Sequence, residues 1–183
     1  MTKKVFDSLL VLQCQSGNKK SMTLLVKRWH IKLCKHAYRY TKDLEVSKDI
    51  TQDSWYTIFK KIRSIKNPDS FGSWAMMIVT RKSLDWLKKY KKEHDFLDDY
   101  LITRQLDLDG TQHNSDPIIN QLRMAIHKLP KNHEIVLNLF YLDDFTIQEI
   151  GEILDISTGT VKSRLFNARE KLKEILKQTN YEK

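Results

Sequence analysis

Apolar side chains recur at spacings of three and four residues along three long stretches in the first half of this chain. That period restricts each stretch to an amphipathic helix. Met22, Leu25, Val26, Trp29, Leu33 and Ala37 mark the first, and Ile50, Ser54, Ile58, Ile62 and Ile65 the second, with Trp55 and Phe59 widening its stripe. The third begins near Phe71 and runs through Trp74, Met77, Ile78, Leu84 and Leu87 into Lys88-Lys89-Tyr90-Lys91-Lys92. Between the last two, Asn67-Pro68-Asp69-Ser70 breaks the chain, because proline biases its predecessor away from helix. Only five glycines and three prolines occur in 183 residues, which leaves little room for a turn-rich β architecture. An all-α fold of two small helical domains follows.

The domain boundary comes from a reversal of charge. Glu93, Asp95, Asp98, Asp99, Asp107, Asp109 and Asp116 stand against the single Arg104 between residues 93 and 117, in a chain whose net charge is +9. The Gly110–Pro117 part of this stretch reads as a flexible linker. Residues 1–92 are therefore expected to form one domain, 93–120 an acidic linker, and 121–183 a second domain. Helices are expected from near Pro117, Pro130, Thr146 and Thr158, since proline suits a first helical turn and threonine a cap.

The positive excess outside the linker points to an acidic partner, a nucleic acid or an anionic surface. No apolar run approaches the roughly 20 residues of a membrane span. The Met1–Asp7 start lacks the apolar core of a signal peptide. Cys14 and Cys34 make no disulfide framework. Cys34 has His30 and His36 nearby, but it sits in a helical pattern as a small packing residue. Neither a metal nor any other cofactor is expected, and a reducing cytoplasm is the expected location. No Gly-rich phosphate loop, nucleophile motif or pair of carboxylates suggests an enzyme.

The strongest local signal is the segment from Phe145 to Leu165. Thr146 with Glu149 is a capping box that starts a helix, and Ile147, Ile150 and Leu154 give that helix an apolar face. Gly151 is small where the two helices of such a motif come close, and Ser157 can cap the second helix. In that second helix Val161, Leu165, Ala168, Leu172 and Ile175 form one stripe that must face a core. At 100° per residue the opposite face carries Gly159, Ser163, Phe166 and Asn167, flanked by Lys162 and Arg164. An aromatic ring on a polar face fits contact with something apolar, such as a thymine methyl. Lys162, Ser163 and Asn167 can reach phosphates or base edges from a helix in the major groove.

Leu129-Pro130, Phe140-Tyr141 and the run from Gly159 to Leu165 with Ala168-Arg169 resemble the C-terminal domain of extracytoplasmic-function (ECF) sigma factors, members of the sigma-70 superfamily of RNA polymerase subunits. The first half resembles their N-terminal domain. Asp49-Ile50-Thr51-Gln52-Asp53-Ser54-Trp55 is similar to an acidic and glutamine-bearing segment of the family. Phe71-Gly72-Ser73-Trp74 followed by Thr80 to Leu87 is similar to its promoter-melting helix. The resemblance spans roughly residues 20–92 and 121–176 in the family's order.

It implies a transcription initiation factor whose partners are core RNA polymerase, promoter DNA and an anti-sigma factor. Asp49, Gln52 and Asp53, at i, i+3 and i+4 on one helix face, would dock on the polymerase. Lys66, Asn67, Asp69, Arg81, Lys82, Lys88 and Lys89 would contact the minus-ten element, with the loop from Ser64 to Ser70 holding its flipped base. Cationic and aromatic groups suit an opened strand, whose phosphates attract and whose bases stack. Trp74 reads by its spacing more as core than as a stacking platform. Thr158, Lys162, Ser163, Arg164, Phe166, Asn167 and Arg169 would contact the minus-thirty-five element as duplex. The linker would thread a path otherwise taken by RNA, although a solvating spacer has the same composition. Three departures bear on which promoter is read. The family often has Arg-Asn at Thr80-Arg81, an Arg at Asn167, and larger residues at Gly72 and Ser73. The competing reading is a free-standing helix-turn-helix regulator with a helical N-terminal domain. Such a regulator would bind duplex operator DNA without polymerase.

Overall fold

The structure is a computed structural model that describes residues 3–94 and 117–181. All elements among the described residues are helical: α1 Lys3–Gln15, α2 Lys19–Thr41, α3 Leu44–Lys61, α4 Phe71–His94, α5 Pro117–His127, α6 Lys131–Tyr141, α7 Ile147–Leu154 and α8 Thr158–Tyr181. Two 3-10 turns, Ile62–Ser64 and Pro68–Ser70, join α3 to α4. The chain divides into two compact units, Met1–Leu108 and Asp109–Lys183. Most of the acidic stretch lies outside the described residues. Helix α4 continues to His94, into the acidic stretch, and α5 begins at Pro117, where a helix was expected.

In the first unit α2 packs against α1, α3 and α4. Its ends are set locally. Gly17 at φ +88° turns the chain, and the Asn18 side chain accepts from the Lys20 and Ser21 amides at 3.0 and 3.2 Å. At the far end Lys42 takes a left-handed conformation, and Asp43 caps α3 by accepting from the Val46 amide at 3.0 Å. Leu25, Leu33 and Ala37 of α2 are fully buried, as are Ile58 of α3 and Ala75, Met76 and Val79 of α4. On α3, Ser47, Thr51 and Ser54 are buried too. Thr51 and Ser54 donate to the Ser47 and Ile50 carbonyls at 2.7 Å, so these small polar residues satisfy themselves and permit close packing.

Three features differ from the sequence reading. The α1 helix was not anticipated. It buries Asp7, Leu10, Val11 and Cys14 at helical spacing while Val5, Phe6, Leu9 and Leu12 stand exposed, so apolar residues on both faces blur the period. The second helix tightens into a 3-10 turn at Ile62, so its stripe ends before Ile65. In α7 the buried residues are Ile150, Gly151 and Ile153, and Ile147 and Leu154 are only half-buried.

His36 on α2 is fully buried and lies 2.8 Å from Thr80 Oγ1 on α4. An Arg39 guanidinium nitrogen stands 3.5 Å from its other ring nitrogen. Arginine only donates, so Nδ1 is the acceptor and Nε2–H donates to Thr80. Burial, and secondarily the charge of Arg39, hold the imidazole well below its ordinary pKa of 6.5. A depressed folded-state pKa contributes stability that is complete above the unfolded value and is lost as pH falls below it. The loss approaches about 1.4 kcal/mol per pH unit. Urea unfolding at pH 7.5 and 5.5 is expected to show this acid loss in the wild type, with a smaller loss in His36→Gln. Equal losses in both would remove His36 as the cause.

In the second unit, Val136, Leu139, Ile150, Val161 and Ala168 are fully buried. Leu129, Leu137 and Ala168 form a cluster completed by Ile126, Leu172 and Ile175. Pro130 sits one residue before α6, as its N-cap.

Candidate nucleic-acid interface

The helix-turn-helix of α7 and α8 is fixed at three points. The Thr146 hydroxyl accepts from the Glu149 amide at 3.2 Å, and the Glu149 carboxylate accepts from the Thr146 amide at 2.9 Å, closing the capping box. The turn then reverses through Asp155 at φ 55°, and the amides of Asp155 and Ile156 both donate to the Gly151 carbonyl. A Cβ on Gly151 would sit 2.9 Å from the Ile156 carbonyl oxygen. Glycine is thus required by the turn's own backbone rather than by the crossing helix. Ser157 caps α8, its hydroxyl accepting from the Thr160 amide at 3.1 Å.

With Val161, Leu165 and Ala168 turned inward, Thr158, Gly159, Lys162, Ser163, Phe166 and Asn167 are exposed together on α8. Phe166 is 62% exposed. The Ser163 hydroxyl donates to the Thr160 carbonyl at 3.0 Å. Arg164 is half-buried at the edge. Burial, with the charges of Lys171 and Arg164, lowers the His133 pKa. Arg169 is drawn back onto α6. Its Nε donates to the Tyr141 hydroxyl at 2.9 Å, and its guanidinium lies 5.6 and 6.0 Å from the Tyr141 and Phe140 ring centres. An aromatic pair followed 28 residues later by an arginine is not a local pattern, so the sequence gives no sign of this contact.

In the first unit Asp49, Gln52 and Asp53 stand exposed on α3. Neither carboxylate has an ion pair among the described residues, whereas Glu45 on the same helix is neutralised by Lys48 at 2.7 Å. Tyr56, 72% exposed, extends this stripe, at i+3 from Asp53 and i+7 from Asp49. Sequence reasoning missed it, because an aromatic beside Trp55 and Phe59 is naturally assigned to the core.

Lys66, Asn67 and Asp69 are exposed on the loop before α4. The Asn67 side-chain Oδ1 accepts from the Asp69 amide at 3.0 Å, which leaves its side-chain amide nitrogen, a two-hydrogen donor, with no bond to a described residue. The Asp69 carboxylate accepts from Ser8 of α1. On α4, Arg81, Lys88 and Lys89 are exposed and Lys82 is half-buried. The i, i+7 spacings of 81/88 and 82/89 make one cationic strip, with Asp85 exposed within it. Trp74 is half-buried and tilted against Phe71 at 6.3 Å between ring centres. Trp86 stacks on Tyr90 at 4.9 Å. Thr80 is buried against His36 and so faces away from this strip.

Among the described residues no helix is long and apolar enough to cross a membrane, and no cluster of three or more His, Cys, Asp or Glu could hold a metal. The profile of sigma-70 region 2 matches residues 25–93, and that of sigma-70 region 4 matches residues 119–172. The chain is 27% identical over 180 residues to the ECF RNA polymerase sigma-E factor of Haemophilus influenzae, covering 93% of this chain and 95% of that one. It is 29% identical over 168 residues to the RNA polymerase sigma factor SigV of Bacillus subtilis, covering 92% of each. Among solved structures, the sigma factor RpoE of Bartonella quintana, in complex with the anti-sigma factor NepR, shares the fold. That match has a TM-score of 0.71 at 20% identity and covers 86% of this chain and 98% of that one. CnrH, in complex with the cytosolic domain of CnrY, matches with a TM-score of 0.65 at 20% identity over 94% and 97% of the two chains. With both sigma-70 regions matched in order on an all-helical chain, this protein belongs to the ECF sigma factors of the sigma-70 family, which join core RNA polymerase and direct it to promoter DNA for transcription initiation.

Proposed function

We propose a division of that work among named residues. The domain of residues 1–92 docks on core polymerase through Asp49, Gln52, Asp53 and Tyr56. It also takes the minus-ten element through Lys66, Asn67 and the strip of Arg81, Lys82, Lys88 and Lys89. The domain of residues 121–183 reads the minus-thirty-five duplex through Thr158, Lys162, Ser163, Phe166 and Asn167, while Arg169 braces α8 from behind. Residues 93–120 act as an acidic connector. The chain works in the cytoplasm, carries no catalytic centre of its own, and takes an anti-sigma factor as a further partner, as the Bartonella sigma factor does in its complex.

The observation that carries this reading is the acidic stripe of α3, exposed and without an ion pair among the described residues of a strongly basic protein. A free-standing DNA binder has no use for such a face, and it would repel phosphates. A cationic docking surface on the polymerase fits it.

Two substitutions test the DNA contacts. Lys162→Ala in the holoenzyme is expected to weaken promoter binding across sequences and to flatten its salt dependence by about one phosphate contact. Phe166→Ala is expected instead to change which upstream bases are preferred. Identical salt slopes and base preferences for both variants and the wild type would remove α8 from the interface. Replacing Arg81 and Lys82 by alanine is expected to slow promoter opening by about tenfold while sparing core binding. Wild-type opening rates in stopped-flow fluorescence would remove the α4 strip from the melting step.

A further inference from the structure

The loop assigned to base capture is anchored from outside the matched region. The region 2 match begins at residue 25, so α1 lies ahead of it. From α1, the Gln15 amide nitrogen donates to two carbonyls, Ile62 at 3.0 Å and Ile65 at 2.9 Å. One side chain thereby uses both of its N–H groups to close the 3-10 turn from which the chain leaves toward Lys66. Two helical turns earlier on the same face of α1, the Ser8 hydroxyl donates to the Asp69 carboxylate. The two clasps bracket residues 65–69. Inside that bracket Asn67 Oδ1 accepts from the Asp69 amide and caps the second 3-10 turn, and its amide nitrogen has no bond to a described residue.

Backbone carbonyls of an irregular segment need partners wherever water is excluded. Here helix α1 provides them, and in doing so it removes the freedom of the segment that would receive a base. A pocket of this kind discriminates only if its donors are held within a fraction of an ångström before the base arrives. The exposed loop has no packed core of its own to hold it. Residues 66, 67 and 69 are all exposed.

We infer that Gln15, assisted by Ser8, is a positioning residue for minus-ten recognition: α1 sets the shape of the 65–69 loop and so its selectivity for the unpaired base. This rests on the assignment of that loop to base capture. Gln15 itself touches no DNA.

The test uses holoenzyme assembled from core polymerase and the full chain. The probes are fork-junction DNAs that carry either the preferred base or an abasic site at the unpaired minus-ten position. Gln15→Met keeps the length and removes both donors. It is expected to reduce the preference for the base over the abasic site by about tenfold, as for two lost hydrogen bonds. Core affinity and upstream duplex binding are expected to stay at wild-type values. Gln15→Lys, which can donate to both carbonyls, is expected to restore much of the preference, and Ser8→Ala to lose a smaller part of it. Amide hydrogen exchange of Gln15→Met should show faster exchange at residues 66–70, with α2 and α3 unchanged.

A wild-type preference in Gln15→Met would overturn the inference. So would a parallel fall in core affinity and in protection throughout α2 and α3, which would mark a general structural role. Asn67→Ala separates the two levels. If it lowers the preference and Gln15→Met does not, α1 has no positioning role. If Asn67→Ala leaves the preference intact, the base-capture assignment fails and the role of Gln15 fails with it.

Discussion

Replacing Asp49 and Asp53 together by lysine is expected to weaken association with core RNA polymerase by about a hundredfold or more. Truncating one member of a desolvated interfacial charge pair costs roughly 2–5 kcal/mol, and reversal adds repulsion to that loss. The free protein should barely notice the change. Both carboxylates are exposed and make no ion pair among the described residues, so helical content and unfolding midpoint should stay near wild type. Tyr56→Ala is expected to cost about tenfold, since exposed aromatic rings often become anchors at protein interfaces. Affinity is measured by fluorescence anisotropy of the labelled chain titrated with core, with circular dichroism as the control. Wild-type affinity in the double variant would move the docking surface elsewhere.

The second large effect belongs to Gly151. A methyl group there meets the Ile156 carbonyl oxygen at 2.9 Å, and that oxygen is backbone in a turn closed by two hydrogen bonds to Gly151 itself. It cannot swing aside as a flexible side chain would. Gly151→Val, with further branches beyond the Cβ, is expected to destabilise the second unit by about 3 kcal/mol. The angle between α7 and α8 should change as well. Upstream promoter protection should be lost while core binding through the other unit persists. Unfolding of an isolated 117–183 fragment is not needed, because intrinsic protease sensitivity within α7 and α8 of the full chain reports the same change. A Gly151→Val protein with a wild-type upstream footprint would show that the turn tolerates a side chain.

The helix-turn-helix was legible because its signals are local. A cap, a small residue, a turn and a second cap follow one another within the twelve residues from Thr146 to Ser157, and each acts on neighbours in the chain. The exposed faces of α3 and α8 were legible for the same reason, since helical period alone orients them. What escaped depends on contacts between residues far apart in the chain. Arg169 reads as one more cation beside a DNA-facing helix until Tyr141 and Phe140 are seen to hold it. His36 and Thr80 are separated by 44 residues, and neither suggests the other. The α1 helix escaped because apolar residues lie on both its faces, Leu10, Val11 and Cys14 buried and Val5, Phe6, Leu9 and Leu12 exposed, and its buried face also carries Asp7, which bonds Arg28 at 2.6 Å. A period is readable only when apolar residues keep to the packed side. Gln15 and Ser8 carry no motif, and their partners lie 47 to 61 residues away.

Permanganate reactivity of thymines around a transcription start site tests the central assignment most directly, because only unpaired thymines react. Core polymerase alone and the chain alone should each leave the promoter unreactive. The two together should expose a short run of thymines overlapping and downstream of the minus-ten element, followed by run-off transcript when nucleotides are added. The contradicting result is a chain that protects a duplex site equally well with and without core, with no reactive thymines under either condition. That outcome would make it a helix-turn-helix regulator rather than an initiation factor.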